Sequence, residues 1–224
     1  MTRLVELVAY GRTETAVSDR VIVHGYTGAG VESESLYPLG RVVRVGLDPG
    51  QTAPGEPVRG DMTEWPVDPA EVDLACLHPP CARWSALSRS AGTQSDHPDL
   101  IADARRFGQR CGDYIIENVP QAPLDDPVHL EGRMFGLPIV WERAFETSLP
   151  VDPPPKQHTL SVAAGGYKSD NLVVTGRYTA GMDVYRAVKG YTRDYTVNPF
   201  KRDAVPRAYI DYLLRAYLRA DLEE

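Results

Sequence analysis

The chain lacks most of what would tie it together covalently or send it out of the cell. Its 224 residues hold 3 cysteines, Cys76, Cys81 and Cys111, which is too sparse a set for a disulfide framework. No C-x-x-C or C-x-x-H pair occurs, so the spacing predicts no metal site. No hydrophobic run approaches the roughly 20 residues needed to cross a bilayer. Residues 1–10 are mildly apolar but include Glu6, and no basic-then-apolar export pattern is present. These absences predict a cytoplasmic protein with no membrane partner. Internal repeats and low-complexity tracts are also missing. With 42% hydrophobic and 25% charged residues, the composition is that of a globular domain with a sizeable core.

The net charge of −7 speaks mildly against a polyanion partner. Its distribution matters more. Residues 1–155 carry 13 basic and 23 acidic side chains, whereas residues 156–219 carry 11 basic and 5 acidic ones. The C-terminal third is locally positive. That pattern suits either a solvated face or a docking surface for nucleic acid.

Short β-branched runs alternate with turn signals and helical stretches, which predicts an α/β fold with a largely parallel sheet. Strands are expected at Val21–Val23, Arg41–Leu47, Pro57–Arg59, Val72–Leu77, Tyr114–Ile116, Ala144–Thr147 and Leu172–Val174. Helices are expected at Glu32–Leu36, Asp99–Arg110, Val128–Phe135 and Val205–Leu218. The Pro-rich stretch 150–155 reads as a stiff linker.

The richest signal is Leu74-Ala75-Cys76-Leu77-His78-Pro79-Pro80-Cys81, an apolar strand delivering a thiol to a rigid loop. Downstream, Tyr114-Ile115-Ile116 runs into Glu117-Asn118-Val119-Pro120. A thiol and a carboxyl group, each at a strand's carboxyl end, suit addition to an electron-poor pyrimidine ring. Cys76 and Cys111 read as plain structural thiols. Gly28-Ala29-Gly30 after the first strand permits close backbone approach by a ligand, and Asp48 after the second suits a pair of ribose hydroxyls. Asp61 could accept from an adenine amino group. Taken singly, these are turn glycines and helix caps. Taken together, they describe an adenosyl pocket.

In order and spacing, Gly28-Ala29-Gly30, Asp48, Gly60-Asp61, Pro80-Cys81, Glu117-Asn118-Val119 and Arg143 resemble the C5-cytosine DNA methyltransferases, in particular compact bacteriophage and prophage forms. The resemblance covers residues 20–150 and returns at 203–218. It implies a Rossmann-like methyltransferase fold with a small, reduced target-recognition region. The expected units are a cofactor-binding and catalytic domain (1–150), a basic DNA-contact region (151–202) and a C-terminal helix packing back (203–224).

The implied cofactor is S-adenosylmethionine, held by Tyr26, Thr27, Gly28, Ala29, Gly30, Asp48, Pro49, Asp61, Met62, Pro80, Asp203 and Val205. Cys81 is the implied nucleophile at C6 of the ring, Glu117 the acid at N3 and Arg143 the support for the ring and thiol, while Asn118 fixes the loop. The implied partner is double-stranded DNA, contacted by Ser85, Arg83, Arg177, Arg186 and Lys189, with Tyr167, Lys168, Tyr178, Tyr185 and Arg193 completing a basic-aromatic surface. Ser85 reads equally as a helix cap. With about 60 residues between Arg143 and Asp203, short or relaxed site specificity is expected. A specificity subunit could supply more; otherwise a monomer is expected.

The chain also departs from that pattern. His24 and Gly25 stand where an acid and a large apolar residue usually precede the aromatic Tyr26. Ala82 replaces a Gln, Trp141 an Arg and Asp203 an Asn. These leave room for two alternatives. One is C5 chemistry on a modified cytosine, a free nucleotide or with a modified adenosyl cofactor. The other is a module that binds DNA or cofactor without turnover.

Overall fold

The computed structural model describes residues 18–137, 139–156, 172–173, 182–195 and 203–220. A seven-stranded sheet organises them. Its strands are β1 (Val21–Gly25), β2 (Arg41–Gly46), β3 (Glu56–Arg59), β4 (Leu74–Leu77), β5 (Asp113–Asn118), β6 (Val128–Leu130) and β8 (Arg143–Thr147). They lie in the order β3-β2-β1-β4-β5-β8-β6. The first five run parallel, and β8 is antiparallel to both its neighbours. A small parallel pair joins β7 (Ile139–Val140) to β9 (Leu172–Val173). The helices are α1 (Ser33–Leu36), α2 (Ala86–Ala91), α3 (Ile101–Gly108), α4 (Met182–Lys189) and α5 (Arg207–Ala220). This is an α/β fold with a mostly parallel sheet flanked by helices, as the alternation of elements predicts.

Strands buried on both faces need apolar residues at every position, and the alternation then decides which face each side chain serves. Ile22, Val42, Leu74, Ile115 and Phe145 share one core with α5. Val23, Val43, Ala75, Leu77, Ile116 and Ala144 share the other with α3. By the same alternation His24, Arg44, Cys76 and Glu117 fall on the α5 face. Four of the sheet's polar side chains are thereby sent to one side, under the carboxyl edge. At the far edge, Pro57 in β3 costs no ladder bond, because β3 pairs only with β2.

Two glycines are required by geometry. Gly30 has φ +67°, and a Cβ there would come within 3.3 Å of Ala53 and Arg44. At Gly46 a Cβ would lie 2.1 Å from the Thr27 carbonyl, so the loop after β1 can close onto the end of β2 only over a glycine.

The helix expected over Val128–Phe135 is a correction. Residues 128–130 form β6 against β8, and only 132–135 turn as a short 3-10 helix. Pairing with β8 outweighs the local pattern. Leu172-Val173 pairs as expected, while Val174 lies outside the described residues.

Candidate active site

Cys81, Glu117 and Arg143 arrive from three different strands at the carboxyl edge of the sheet. Cys81 follows β4 and opens a 3-10 turn, Ala82–Trp84. Glu117 is the penultimate residue of β5. Arg143 opens β8, whose antiparallel run starts it at the same edge. Asn118 locks the thiol loop, donating from Nδ2 to the Pro79 carbonyl at 2.9 Å and accepting from Val119 N at 2.9 Å. The loop-fixing role expected of Asn118 therefore has a geometric basis.

Arg143 Nε lies 3.1 Å from Glu117 Oε1, both side chains being almost fully buried. The Arg143 charge also acts on the Cys81 thiol. Burial pushes the Cys81 thiol above its ordinary pKa, and the Arg143 charge works against that rise. Burial alone would also raise Glu117, but Arg143 and His78 hold its carboxyl below the usual value. Cys111 is of another kind: burial alone pushes it up to about 12, which fits an inert thiol.

His78 was not singled out for chemistry by sequence reasoning, yet it sits beside the acid. Its Nδ1 is 3.1 Å from Glu117 Oε2 and its Nε2 is 3.4 Å from Cys76 Sγ. Burial opposes its protonation, but Cys76, Glu117 and Glu32 together carry it well above the ordinary histidine value. His24 behaves oppositely: burial, His78 and Arg44 all hold it neutral. The available signal was parity. His24, Cys76 and His78 share one face once β1 and β4 are known to be neighbours, with His24 in register with Cys76.

The residues expected to hold an adenosyl cofactor line the edge over β1, β2 and β3. Tyr26 has φ 58°, a left-handed conformation that costs a non-glycine residue of order 1 kcal/mol. The Tyr26 hydroxyl and the Thr27 hydroxyl are buried without a hydrogen-bond partner, and a Cβ on Gly28 would meet nothing within 4 Å. Buried hydroxyls left unpaired fit a polar ligand. Asp48 is exposed past the end of β2, with Pro49 buried behind it. Asp61 spends Oδ1 on Thr63 N and Thr63 Oγ1, both at 2.9 Å, leaving its second oxygen for a ligand. Met62 is buried below, against Gly25. In the terminal segment, Val205 N donates to Glu32 Oε1 at 2.8 Å, and Asp203 influences Cys81 and Arg143 electrostatically. Ala29, Gly30 and Pro80 occupy the loops between these groups.

The expected DNA contacts divide. Ser85 caps α2, its Oγ accepting from Ser88 N at 3.1 Å. Arg83 flanks the thiol, donates to the His97 carbonyl at 2.9 Å and lies over the Trp84 ring. Arg186 is part-exposed and paired with Asp194 at 2.5 Å. Lys189 and Tyr185 require correction, because neither is on the surface. At positions i and i+4 of α4 they share its inner stripe with Val188, packed in a core with Val31, Ala53 and Ile139. Lys189 Nζ sits 3.8 Å from the Trp141 ring centroid, and burial depresses its pKa strongly. Arg177, Tyr167, Lys168 and Tyr178 lie outside the described residues. A cleft of about 410 Å³ lined by Tyr114, Asp125, Glu146 and Val151 includes none of the site residues.

No protein-family model matches the chain, and no curated protein matches it. Among solved structures, the methyltransferase EhMeth of Entamoeba histolytica superposes with a TM-score of 0.58 at 10% identity, over 92% of this chain and 99% of that one. That likeness carries the fold. A DNA modification methyltransferase encoded within an E. coli prophage aligns at TM-score 0.39 and 16% identity, over 59% of this chain. The present chain covers 49% of that protein, about half its length. An RNA methyltransferase from Salinibacter ruber, in complex with S-adenosyl-L-homocysteine, aligns at TM-score 0.31 and 14% identity, over 61% of this chain and 88% of that one. Among the described residues, no helix is long and apolar enough to cross a membrane.

Proposed function

We propose that this protein transfers a methyl group from S-adenosylmethionine to C5 of cytosine in DNA. One observation carries the reading: a part-exposed thiol, a guanidinium whose charge acts on it and a carboxyl group 3.1 Å from that guanidinium converge from three strand ends. A structural ion pair alone would not call for Cys81 beside it. The fold shared with EhMeth supports methyl transfer, and the unpaired Tyr26 and Thr27 hydroxyls together with the open Gly28 support a bound adenosyl group.

When bound, S-adenosylmethionine supplies an electrophilic sulfonium methyl. Every other requirement falls to the chain. Cys81 gives up its proton to the Glu117 carboxylate as its sulfur bonds to C6 of the flipped base, which turns C5 into an enamine carbon able to take the methyl. Glu117 passes that proton to N3 and accepts from the exocyclic amine, neutralising charge pushed onto the ring and selecting cytosine over thymine. Arg143 holds the thiolate and the acid at fixed separation. Loss of the C5 proton with cleavage of the S–C6 bond then frees product and restores Cys81.

The test is covalent trapping: full-length protein, S-adenosylmethionine and a random-sequence duplex containing 5-fluorocytosine, resolved on a denaturing gel. Fluorine at C5 blocks the final elimination, so a shifted band is expected, and Cys81→Ala should abolish it. No band, with cofactor binding intact by calorimetry, would sink DNA cytosine as the substrate and favour a free nucleotide or modified base. The second reading rests on His24, whose place usually holds an acid: a modified adenosyl group would then replace the plain one.

A further inference from the structure

Beneath the catalytic edge, His24, Glu32 and His78 bring three ligand atoms within 4.8 Å of one another, in a setting where His24 and Glu32 are buried and His78 nearly so. We propose that this cluster is a divalent-cation site of the zinc class, with His24, His78 and Glu32 as its protein ligands. It stands apart from the reaction proposed above, since neither its ligands nor its test need a substrate. It also revises the expectation from spacing that no metal binds, because these ligands are far apart in sequence and are gathered by the β1–β4 pairing.

The outer shell argues most strongly. Metal-bound histidines almost always donate their second ring nitrogen to an oxygen that fixes tautomer and ring angle. His24 Nδ1 lies 2.7 Å from Ser33 Oγ, and His78 Nδ1 lies 3.1 Å from Glu117 Oε2. Both imidazoles therefore turn Nε2 inward. Glu32 follows the same rule: Oε1 is occupied by Val205 N at 2.8 Å, leaving Oε2 facing His24 Nε2 at 3.8 Å. All three ligands are anchored at one atom; the other ring nitrogen of His78 faces Cys76 Sγ at 3.4 Å, a contact that the ion would replace.

Bonds of about 2.0–2.2 Å place neighbouring ligand atoms roughly 3.4–3.7 Å apart, and the His24–Glu32 approach is 3.8 Å. Two histidines and a carboxylate are a ligand set that zinc takes. Arg44 points its guanidinium at the Gly50 and Gly55 carbonyls, while Lys189, with Nζ over Trp141, also interacts with Glu32 and would compete with the ion for that carboxylate. The ion would lock the His78 ring that steadies Glu117 and, through Glu32, the segment carrying Val205.

The test uses full-length protein purified without a metal-affinity step or chelator. Elemental analysis should find close to one zinc per chain. Protein stripped with chelator and titrated with Co²⁺ should develop the visible bands of low-coordinate cobalt, and His24→Ala should lower metal content at least tenfold. A wild-type protein that is folded by circular dichroism, yet holds under a tenth of an equivalent and gives no cobalt bands, overturns the proposal. So do cobalt bands unchanged in His24→Ala. Covalent trapping on DNA reads Cys81 separately, so failure of either idea is recognisable without the other.

Discussion

At Cys81 two influences oppose each other, and their balance sets how the reaction should respond to pH. Burial raises the thiol's pKa and the Arg143 charge lowers it, with burial the larger. The thiolate fraction is therefore small near neutrality and grows as pH rises toward the thiol's raised pKa. The rate of adduct formation on 5-fluorocytosine DNA should climb through neutral into alkaline pH. Arg143→Gln removes the opposing charge, so the rising limb should move to higher pH and the neutral-pH rate should fall by about 10²–10³-fold. A stopped-time series across pH for both proteins measures this. Superimposable limbs would show that Arg143 does not act on the thiol. Residue identities at this centre were legible because Cys81, Glu117 and Arg143 each end or begin a recognisable strand. His78 was hidden because its partner is 39 residues away and reached only through the β4–β5 pairing.

Among the elements, α1 and α4 depend most on partners distant in sequence. A four-residue helix has little stability of its own. Yet Glu34, buried within α1, accepts from Thr192 N and Oγ1, Arg193 N and Tyr195 Oη at 2.9–3.2 Å. One carboxylate thus ties down the turn that follows α4. Glu34→Ala would leave several of those donors without an acceptor and should cost about 3 kcal/mol. Urea unfolding would read that as a lowered midpoint at unchanged slope. Amide exchange should quicken at Thr192 and Arg193 first. A loss under about 0.5 kcal/mol would mean that water replaces the carboxylate freely. The strands were readable because period-two alternation is local. The inward face of α4 was not, since Tyr185 and Lys189 read as a basic-aromatic surface until Val31, Ala53 and Trp141 supply the wall they pack on.

For the molecule as a whole, the C-terminal helix is part of the foundation rather than an appendage. Of the seventeen described residues buried in the core on the α5 face, seven (Val205, Tyr209, Ile210, Leu213, Leu214, Ala216 and Tyr217) belong to residues 203–220. Burying that many side chains contributes on the order of 10 kcal/mol, comparable with the entire margin of about 5–15 kcal/mol that holds a domain folded. The same segment brings Val205 to Glu32, so the last strand-face to be covered and the last wall of the site are completed together. A chain ending at residue 202 should therefore lose its near-ultraviolet circular dichroism and its capacity to bind the adenosyl cofactor in one step, and should expose apolar surface to a hydrophobic dye. Adding a peptide of residues 203–224 should restore both signals together. Restoration of the fold without cofactor binding would separate the two roles of the segment. A truncated chain that stays fully folded would show that α3 and the opposite core suffice alone, contrary to the share of buried surface that α5 provides.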